Sequence, residues 1–389
     1  MTEHTNTPEL RFPEFKEEWE FQELGNLAQF SKGKLLSKKD LNISGIPCIL
    51  YGELYTRYGA ILNKVYSKTD SKKNSLVFSK KNQILIPSSG ETDIDIATAT
   101  AINTDLKIAI GGDLNIITPI NSDGRFISLY INGKGKHNLA KYAQGKSVVH
   151  LYNSDIKKLK FYLPSNNSEQ QKIGDFFSKL DRQIELEEEK LELLEQQKRG
   201  YMQKIFSQKL RFKDENGDEY PEWKSKKLKD IANVYQPQNL SQNNFQKKGY
   251  PVYGANGVIG YYKDFNHSNM EIAVACRGNT CGRVNLTEPK SWITSNAMVV
   301  NIIDKMEIEF YFLYQYLRII NYSNVISGSG QPQIIRKNMN SVELLVPNYI
   351  EQLKIGGFLN SFDKLIEKQS SKVEFLKQRK QGFLQKMFV

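Results

Sequence analysis

Cysteine and histidine are scarce here: three and four residues in a chain of 389. Cys48, Cys276 and Cys281 cannot build a disulfide framework, and no paired His/Cys set accompanies the last two to complete a zinc site. No metal site is expected. Long hydrophobic runs are also missing. The longest, such as Ile272–Cys276 and Phe310–Tyr314, fall far short of a membrane span. The opening MTEHTNTPELRF lacks the basic and then apolar regions of a signal peptide, so the chain is read as soluble and cytoplasmic. Catalytic signatures are absent as well. There is no Walker A loop for an ATP motor, no N-P-P-Y or D-P-P-Y stretch for an amino-methyltransferase, no G-x-S-x-G elbow and no H-E-x-x-H. Catalytic residues are therefore expected to be none.

What is present is positive charge. The formal charge is +11, which favours an anionic partner. It is unevenly placed: residues 169–206 are net −2 and residues 351–389 net +4, leaving +9 elsewhere. A hydrophobic content of 39% with 11% aromatics is enough to fold, and the length suggests two or more domains.

The chain also repeats itself. EQQKIGDFF (Glu169–Phe177) returns as EQLKIGGFL (Glu351–Leu359), 182 residues later. LLEQQKRGYMQKIF (Leu193–Phe206) returns at the same offset as FLKQRKQGFLQKMF (Phe375–Phe388). LKFYLP (Leu159–Pro164) resembles VELLVP (Val342–Pro347). LRFPEFKEEWEFQELGNLA from Leu10 is echoed by LRFKDENGDEYPEWKSKKLKDIA from Leu210, with Trp19 and Leu24 matching Trp223 and Leu228. Each half thus has an opening motif, a divergent middle (25–163 and 229–346) and a closing helix. A shared frame around two dissimilar inserts implies one task performed on two different targets. Glu14–Lys16 and Glu222–Lys224 have the acidic-x-Lys spacing of metal-dependent nucleases, but lack an upstream acidic partner. They are read as helix starts with Glu in the first turn.

The closing segments carry a heptad seam. Ile173, Phe177, Leu180, Ile184, Leu191 and Leu194 match Ile355, Leu359, Phe362, Ile366, Val373 and Leu376, with Glu187 and Lys198 against Gln369 and Lys380 as polar seam positions. The connection from one helix end through a compact insert to the start of the next favours antiparallel pairing. Glutamates 185–195 would then face Lys364, Lys368, Lys372 and Lys377. The seam would span ~48 Å, or ~14 base pairs of duplex. The expected fold is α+β: two globular β-rich domains separated by a long antiparallel two-helix coiled coil, related by a pseudo-two-fold internal repeat. The boundaries read are 1–168, 169–206, 207–350 and 351–389.

In the middles, β-rich runs adjoin turns of Gly, Ser, Thr, Asn and Arg. Tyr51, Arg57, Tyr58, Ser89, Thr92, Tyr235, Gln236, Gln238, Asn256, Tyr261, Tyr262, Arg277 and Asn279 offer forks, hydroxyls and amides suited to base edges. Lys32, Lys34, Lys247, Lys248 and Lys263 suit phosphates. GANGVIG (Gly254–Gly260) has neither nucleotide-loop spacing and is read as a tight hairpin.

As a set, RFPEFKEEW, RFKDENGDEYPEW, YGANGVIGYY and the paired EQ-K-IG-F segments resemble the specificity subunit of type I restriction–modification enzymes, over essentially the whole chain. The resemblance implies two target recognition domains reading an asymmetric bipartite site in double-stranded DNA. It implies a scaffold for two methylation subunits, which in turn recruit restriction subunits. The chain would hold no cofactor of its own. S-adenosylmethionine, ATP and magnesium would belong to those partners, which resemble adenine-N6 methyltransferases and ATP-dependent nucleases. Two other readings stand beside this one. A single-chain restriction or methylating enzyme would need a catalytic segment, and every stretch is already assigned. A coiled-coil assembly protein without DNA specificity does not account for the +9 outside the helices or for the divergent middles.

Overall fold

A computed structural model describes residues 6–34, 36–71, 76–328 and 330–389. The chain forms two compact units, Met1–Glu188 with Ser371–Val389, and Glu189–Ser370. Two long helices, Asn167–Phe206 and Tyr349–Lys386, each contribute one stretch to each unit.

In the first unit, an antiparallel group of strands runs Ala28–Lys32, Leu114–Pro119, Ile84–Pro87, Thr100–Ile102, and Ile61–Leu62 adds in parallel at the edge. All four residues of Ile84–Pro87 are buried, which is why this run is apolar without alternation. A second sheet is built on Ile46–Ile49. Helix Gly124–Asn132, capped by the Asp123 side chain, packs Phe126 into the core beside Trp19, Phe161 and Phe388.

The second unit repeats this order. Ala232–Tyr235, Ala297–Ile302, Ile272–Ala275 and Val284–Leu286 form an antiparallel sheet. Helix Phe310–Ile319, capped by Glu309, brings Phe312 to Trp223 and Phe206. The middles that barely resemble each other in sequence therefore share a sheet order and a covering helix. They diverge after the equivalent strands Ile46–Ile49 and Tyr250–Gly254. The first continues into helix Tyr51–Thr56, the second into the hairpin strand Gly257–Tyr262.

The repeated phrase proves to be the latch of each frame. Glu169 is fully buried and accepts from Arg11 Nε at 2.7 Å, Arg11 Nη2 at 2.8 Å and the Trp19 indole N–H at 3.4 Å. Glu351 does the same for Arg211 (3.1 and 2.7 Å) and Trp223 (3.2 Å). The next residue joins helix to insert. Gln170 accepts the Asp123 N–H at 3.0 Å and donates to the Pro164 carbonyl at 2.8 Å. Gln352 accepts the Glu309 N–H at 2.9 Å and donates to the Pro347 carbonyl at 3.0 Å. The ammonium of Lys172 lies 4.7 Å from the Phe12 ring centroid, and that of Lys354 lies 5.4 Å from Tyr220.

The helix starts expected at Glu14–Lys16 and Glu222–Lys224 are overturned. The segments lead into strands Trp19–Glu23 and Lys224–Lys227, which pair antiparallel with Lys160–Pro164 and Glu343–Val346. Trp19 opens the first strand and Trp223 directly precedes the second, and both are buried. Glu14 is spent on an ion pair with Lys172.

The long helices pair antiparallel within each unit. In the first, Phe176 meets Phe383 (ring centroids 5.1 Å apart), Asp181 meets Lys380 (2.5 Å) and Glu187 meets Lys372 (2.5 Å). In the second, Lys198 meets Asp363 (2.5 Å) and Tyr201 meets Phe358 (5.1 Å). Leu180, Ile184 and Leu376 form a small cluster between the helices, Val373 is buried, and Leu191, Leu194, Phe362 and Ile366 are half-buried. The outer seam positions behave differently from expectation. Ile173 and Phe177 lie in the core of the first unit, Ile355 and Leu359 in that of the second. The helix starts are held by the frames, so only the middle of the seam is coiled coil proper.

Candidate nucleic-acid interface

In the first unit, Ile46–Ile49 delivers the chain to helix Tyr51–Thr56, whose Glu53 accepts the Leu50 N–H at 2.9 Å and the Ser67 hydroxyl at 2.5 Å. Tyr51 and Tyr58 pack on the core beneath. The Tyr58 hydroxyl accepts the Tyr66 N–H at 3.2 Å, the two rings stack 5.7 Å apart, and burial pushes its pKa up to about 12. Arg57 is exposed, and with Lys64 and Tyr66 it borders a cleft of about 540 Å³ shared with Glu185, Glu188 and Lys377. Thr92 is occupied as a helix cap, accepting the Asp95 N–H at 3.1 Å. Lys32 lies 5.7 Å from the centroid of Tyr152, whose ring stacks on His150, and His150 Nδ1 is 3.3 Å from Ser89 Oγ. The structure therefore gathers Lys32 and Ser89 around two residues the sequence had not marked, His150 and Tyr152. Lys34 is exposed nearby in sequence.

In the second unit, several marked residues turn inward. The Tyr235 hydroxyl meets His267 Nε2 at 3.0 Å, and burial raises its pKa. Gln236 donates to the Ser295 carbonyl at 3.1 Å. The Tyr262 ring packs edge-on against Trp292 with centroids 5.3 Å apart, and the Trp292 indole donates to the Gln238 carbonyl at 3.3 Å. The exposed set is Gln236, despite its bond to Ser295, together with Gln238, Lys247, Lys248, Asn256, Tyr261, Lys263, Arg277 and Asn279. GANGVIG is the hairpin it was read to be, turning at Ala255–Asn256 with Gly257 at φ +95°. Beyond the turn, Val258, Ile259 and Tyr261 are exposed by 46%, 40% and 43%, an apolar edge beside a polar tip. A second concavity of about 460 Å³ is lined by Tyr253, Arg283, Asn285, Tyr314 and Arg318. The sequence reading missed its two arginines because Arg318 sits on the covering helix, where charge ordinarily means a solvated face.

Residues 16–196 and 220–374 each match the type I restriction modification DNA specificity domain. The chain belongs to this family. Each matched specificity domain runs from its opening segment into a long helix, so the domain comprises frame and insert together. Among curated relatives, the EcoprrI specificity subunit of Escherichia coli is 28% identical over 149 residues, 37% of this chain and 37% of that one. The putative MjaX specificity subunit of Methanocaldococcus jannaschii is 25% identical, covering 47% of this chain and 49% of that one. The alignments thus span less than half the length of these two relatives. The MjaVIII specificity subunit of the same organism is 23% identical across 95% of this chain and 92% of that one. The crystal structure of a type I restriction–modification S subunit from M. genitalium shares the fold, with a TM-score of 0.71, 18% identity, and coverage of 98% and 99% of the two chains. A structure from a study of type I system assembly gives a TM-score of 0.51 at 15% identity, covering 95% and 97%. In this specificity-domain chain no helix of the described residues is long and apolar enough to cross a membrane.

Proposed function

We propose that the chain is the DNA-specificity subunit of a type I restriction–modification complex. Its two specificity domains each read one half of an asymmetric bipartite site in duplex DNA. The observation that carries this reading is one latched frame occurring twice, with different exposed residues on the two inserts. Family membership and the positive charge outside the helices support it. Exposed lysines such as Lys32, Lys34 and Lys263 bind phosphates and fix orientation, while Arg57, Asn256, Arg277 and Asn279 face base edges. The chain itself performs no catalysis. The paired helices and adjoining surfaces hold two methylation subunits, through which restriction subunits join, and S-adenosylmethionine, ATP and magnesium are used by those partners. Its place is the cytoplasm, with the DNA.

The test is to map modified bases genome-wide in the producing cell, with the chain, without it, and with residues 229–346 exchanged for another insert. Deletion is expected to erase one split motif, and the exchange to alter one half of that motif. A pattern indifferent to deletion, or an exchange that rewrites both halves, overturns the reading.

A further inference from the structure

One junction occurs within each unit, with matching backbone pairing and different side chains. In the first unit, Ser89–Gly90 pairs antiparallel with Val149–His150, Ser89 opposite His150, and the Leu151 N–H donates to the Ser88 carbonyl at 3.2 Å. In the second, Arg277 bridges antiparallel to Gln333, and the Ile334 N–H donates to the Cys276 carbonyl at 3.0 Å. The returning loops also match. Gln144 pairs with His150 across one and Ser327 with Gln333 across the other. Gly145 and Gly328 follow at the same step, with φ of +118° and +91°. A Cβ on Gly145 would lie 2.2 Å from the Val148 carbonyl oxygen, and one on Gly328 would lie 2.6 Å from that of Gln331. Positive φ and the close carbonyl demand glycine at both positions. Three positions therefore correspond: Ser89 with Arg277, Val148 with Gln331, and His150 with Gln333.

We propose that these three matched positions are specificity-determining residues of each domain, held to the DNA by one common loop junction. The inference rests on the DNA-specificity reading above and names where within the domain the bases are told apart. Val148 is 53% exposed, Arg277 and Gln331 are exposed, and Ser89, His150 and Gln333 are half-exposed. None of the six is demanded by the core, whereas the backbone that carries them is pinned. That combination suits a reader: fixed geometry, free choice of chemistry. The Arg277 fork matches guanine O6 and N7, the amides of Gln331 and Gln333 match adenine N6 and N7, and the Val148 methyls suit the thymine methyl. Ser89 and His150 offer single hydrogen bonds.

The experiment grafts the second trio onto the first unit (S89R/V148Q/H150Q) in the full chain, expressed in its own host lacking the native copy. Modified bases are mapped beside those of Arg277→Gln and of the 229–346 exchange. The graft is expected to change the half-site that the exchange leaves alone, and to leave the other intact. Arg277→Gln is expected to reduce discrimination at one position of the exchanged half by roughly tenfold or more. If the graft fails to melt cooperatively, the exposed single substitution Arg277→Gln decides by itself. Unchanged half-sites in folded variants, while the 229–346 exchange still moves one, overturn this proposal and leave the specificity reading standing. A host whose modification pattern never depends on the chain overturns both.

Discussion

Lys198 Nζ lies 2.5 Å from Asp363 Oδ1, with the lysine side chain 5% exposed. Moved by the repeat offset of 182 residues, the same two positions are Lys380 and Asp181, and they too meet at 2.5 Å. One pair lies in each unit, each joining the two antiparallel helices. Burial pulls the Lys198 ammonium below its ordinary range, against the opposing effect of Asp363. It pushes the Asp181 carboxyl up, against Lys380. Such pairs are poor sources of stability because desolvation offsets the attraction. Their value is that a helix slid by one heptad in either direction leaves the buried Lys198 opposite Gly356 or Ser370, so this pair specifies register.

Asp363→Ala should therefore cost more than its exposure suggests. Gln315 donates to Asp363 at 2.6 Å and Arg318 Nη1 approaches it at 3.4 Å, so the substitution strands a buried lysine and frees two further donors. A loss of about 3 kcal/mol is expected in urea denaturation. The double variant Lys198→Met/Asp363→Leu should recover the part of that loss that comes from the stranded lysine. If it is no better than Asp363→Ala, the pair stabilises the fold outright and the register account fails.

The latch makes a second prediction. Glu351→Ala leaves Arg211 and the Trp223 indole N–H without their buried acceptor. A destabilisation of about 3 kcal/mol is expected, together with early proteolysis between residues 207 and 222, where the opening segment is no longer held. Glu169→Ala should act likewise on residues near Arg11. Equal protease resistance in variant and parent would show that the segment is held by other means.

The repeat, the paired helices and the hairpin at Gly254–Gly260 were legible because a recurring phrase, a heptad period and a turn are each written in residue order, and the antiparallel direction followed from the connection through a compact insert. The role of EQ was not. Glu169 and Gln170 act on Arg11, Trp19, Asp123 and Pro164, and nothing in a helical stretch announces partners so distant. The residues proposed to face bases were only half legible for a related reason. Tyr58, Thr92, Tyr235 and Tyr262 have the right chemistry for DNA, but their side chains are engaged within the fold. Composition ranks a residue by what it can bond to, whereas the fold decides what it is already bonded to. Gln331 and Gln333 were overlooked because only backbone pairing aligns them with Val148 and His150.

The helix glycines offer a graded test. A Cβ at Gly356 would lie 2.2 Å from Glu309 Oε2 and 2.8 Å from the Phe312 nitrogen, whereas one at neighbouring Gly357 meets nothing within 4 Å. Alanine improves helix propensity by about 1 kcal/mol at either site. Gly357→Ala should therefore stabilise by up to that amount. Gly356→Ala should destabilise, because the Glu309 cap and the backbone it serves must move. Thermal melting of the two variants side by side should displace the midpoint in opposite directions, and a shift of the same sign in both would rule out close approach at Gly356.

His267 gives the second unit a pH dependence. Its Nδ1 lies 2.6 Å from Asn266 Oδ1, an oxygen that also accepts the Ile293 N–H at 2.8 Å. That oxygen is an acceptor, so Nδ1 carries the proton and Nε2 accepts from the Tyr235 hydroxyl. The neutral ring is thus fully bonded, and burial lowers its pKa below the ordinary 6.5. The unfolded chain binds the second proton more readily than the folded one. Stability from this group is complete above about pH 6.5 and is lost as pH falls from there to the lowered value. In His267→Gln, denaturation midpoints between about pH 7 and 5 should fall less steeply than in the parent chain. Parallel slopes would mean that protonation is tolerated in place, and that the Tyr235 hydroxyl has turned to present its lone pair.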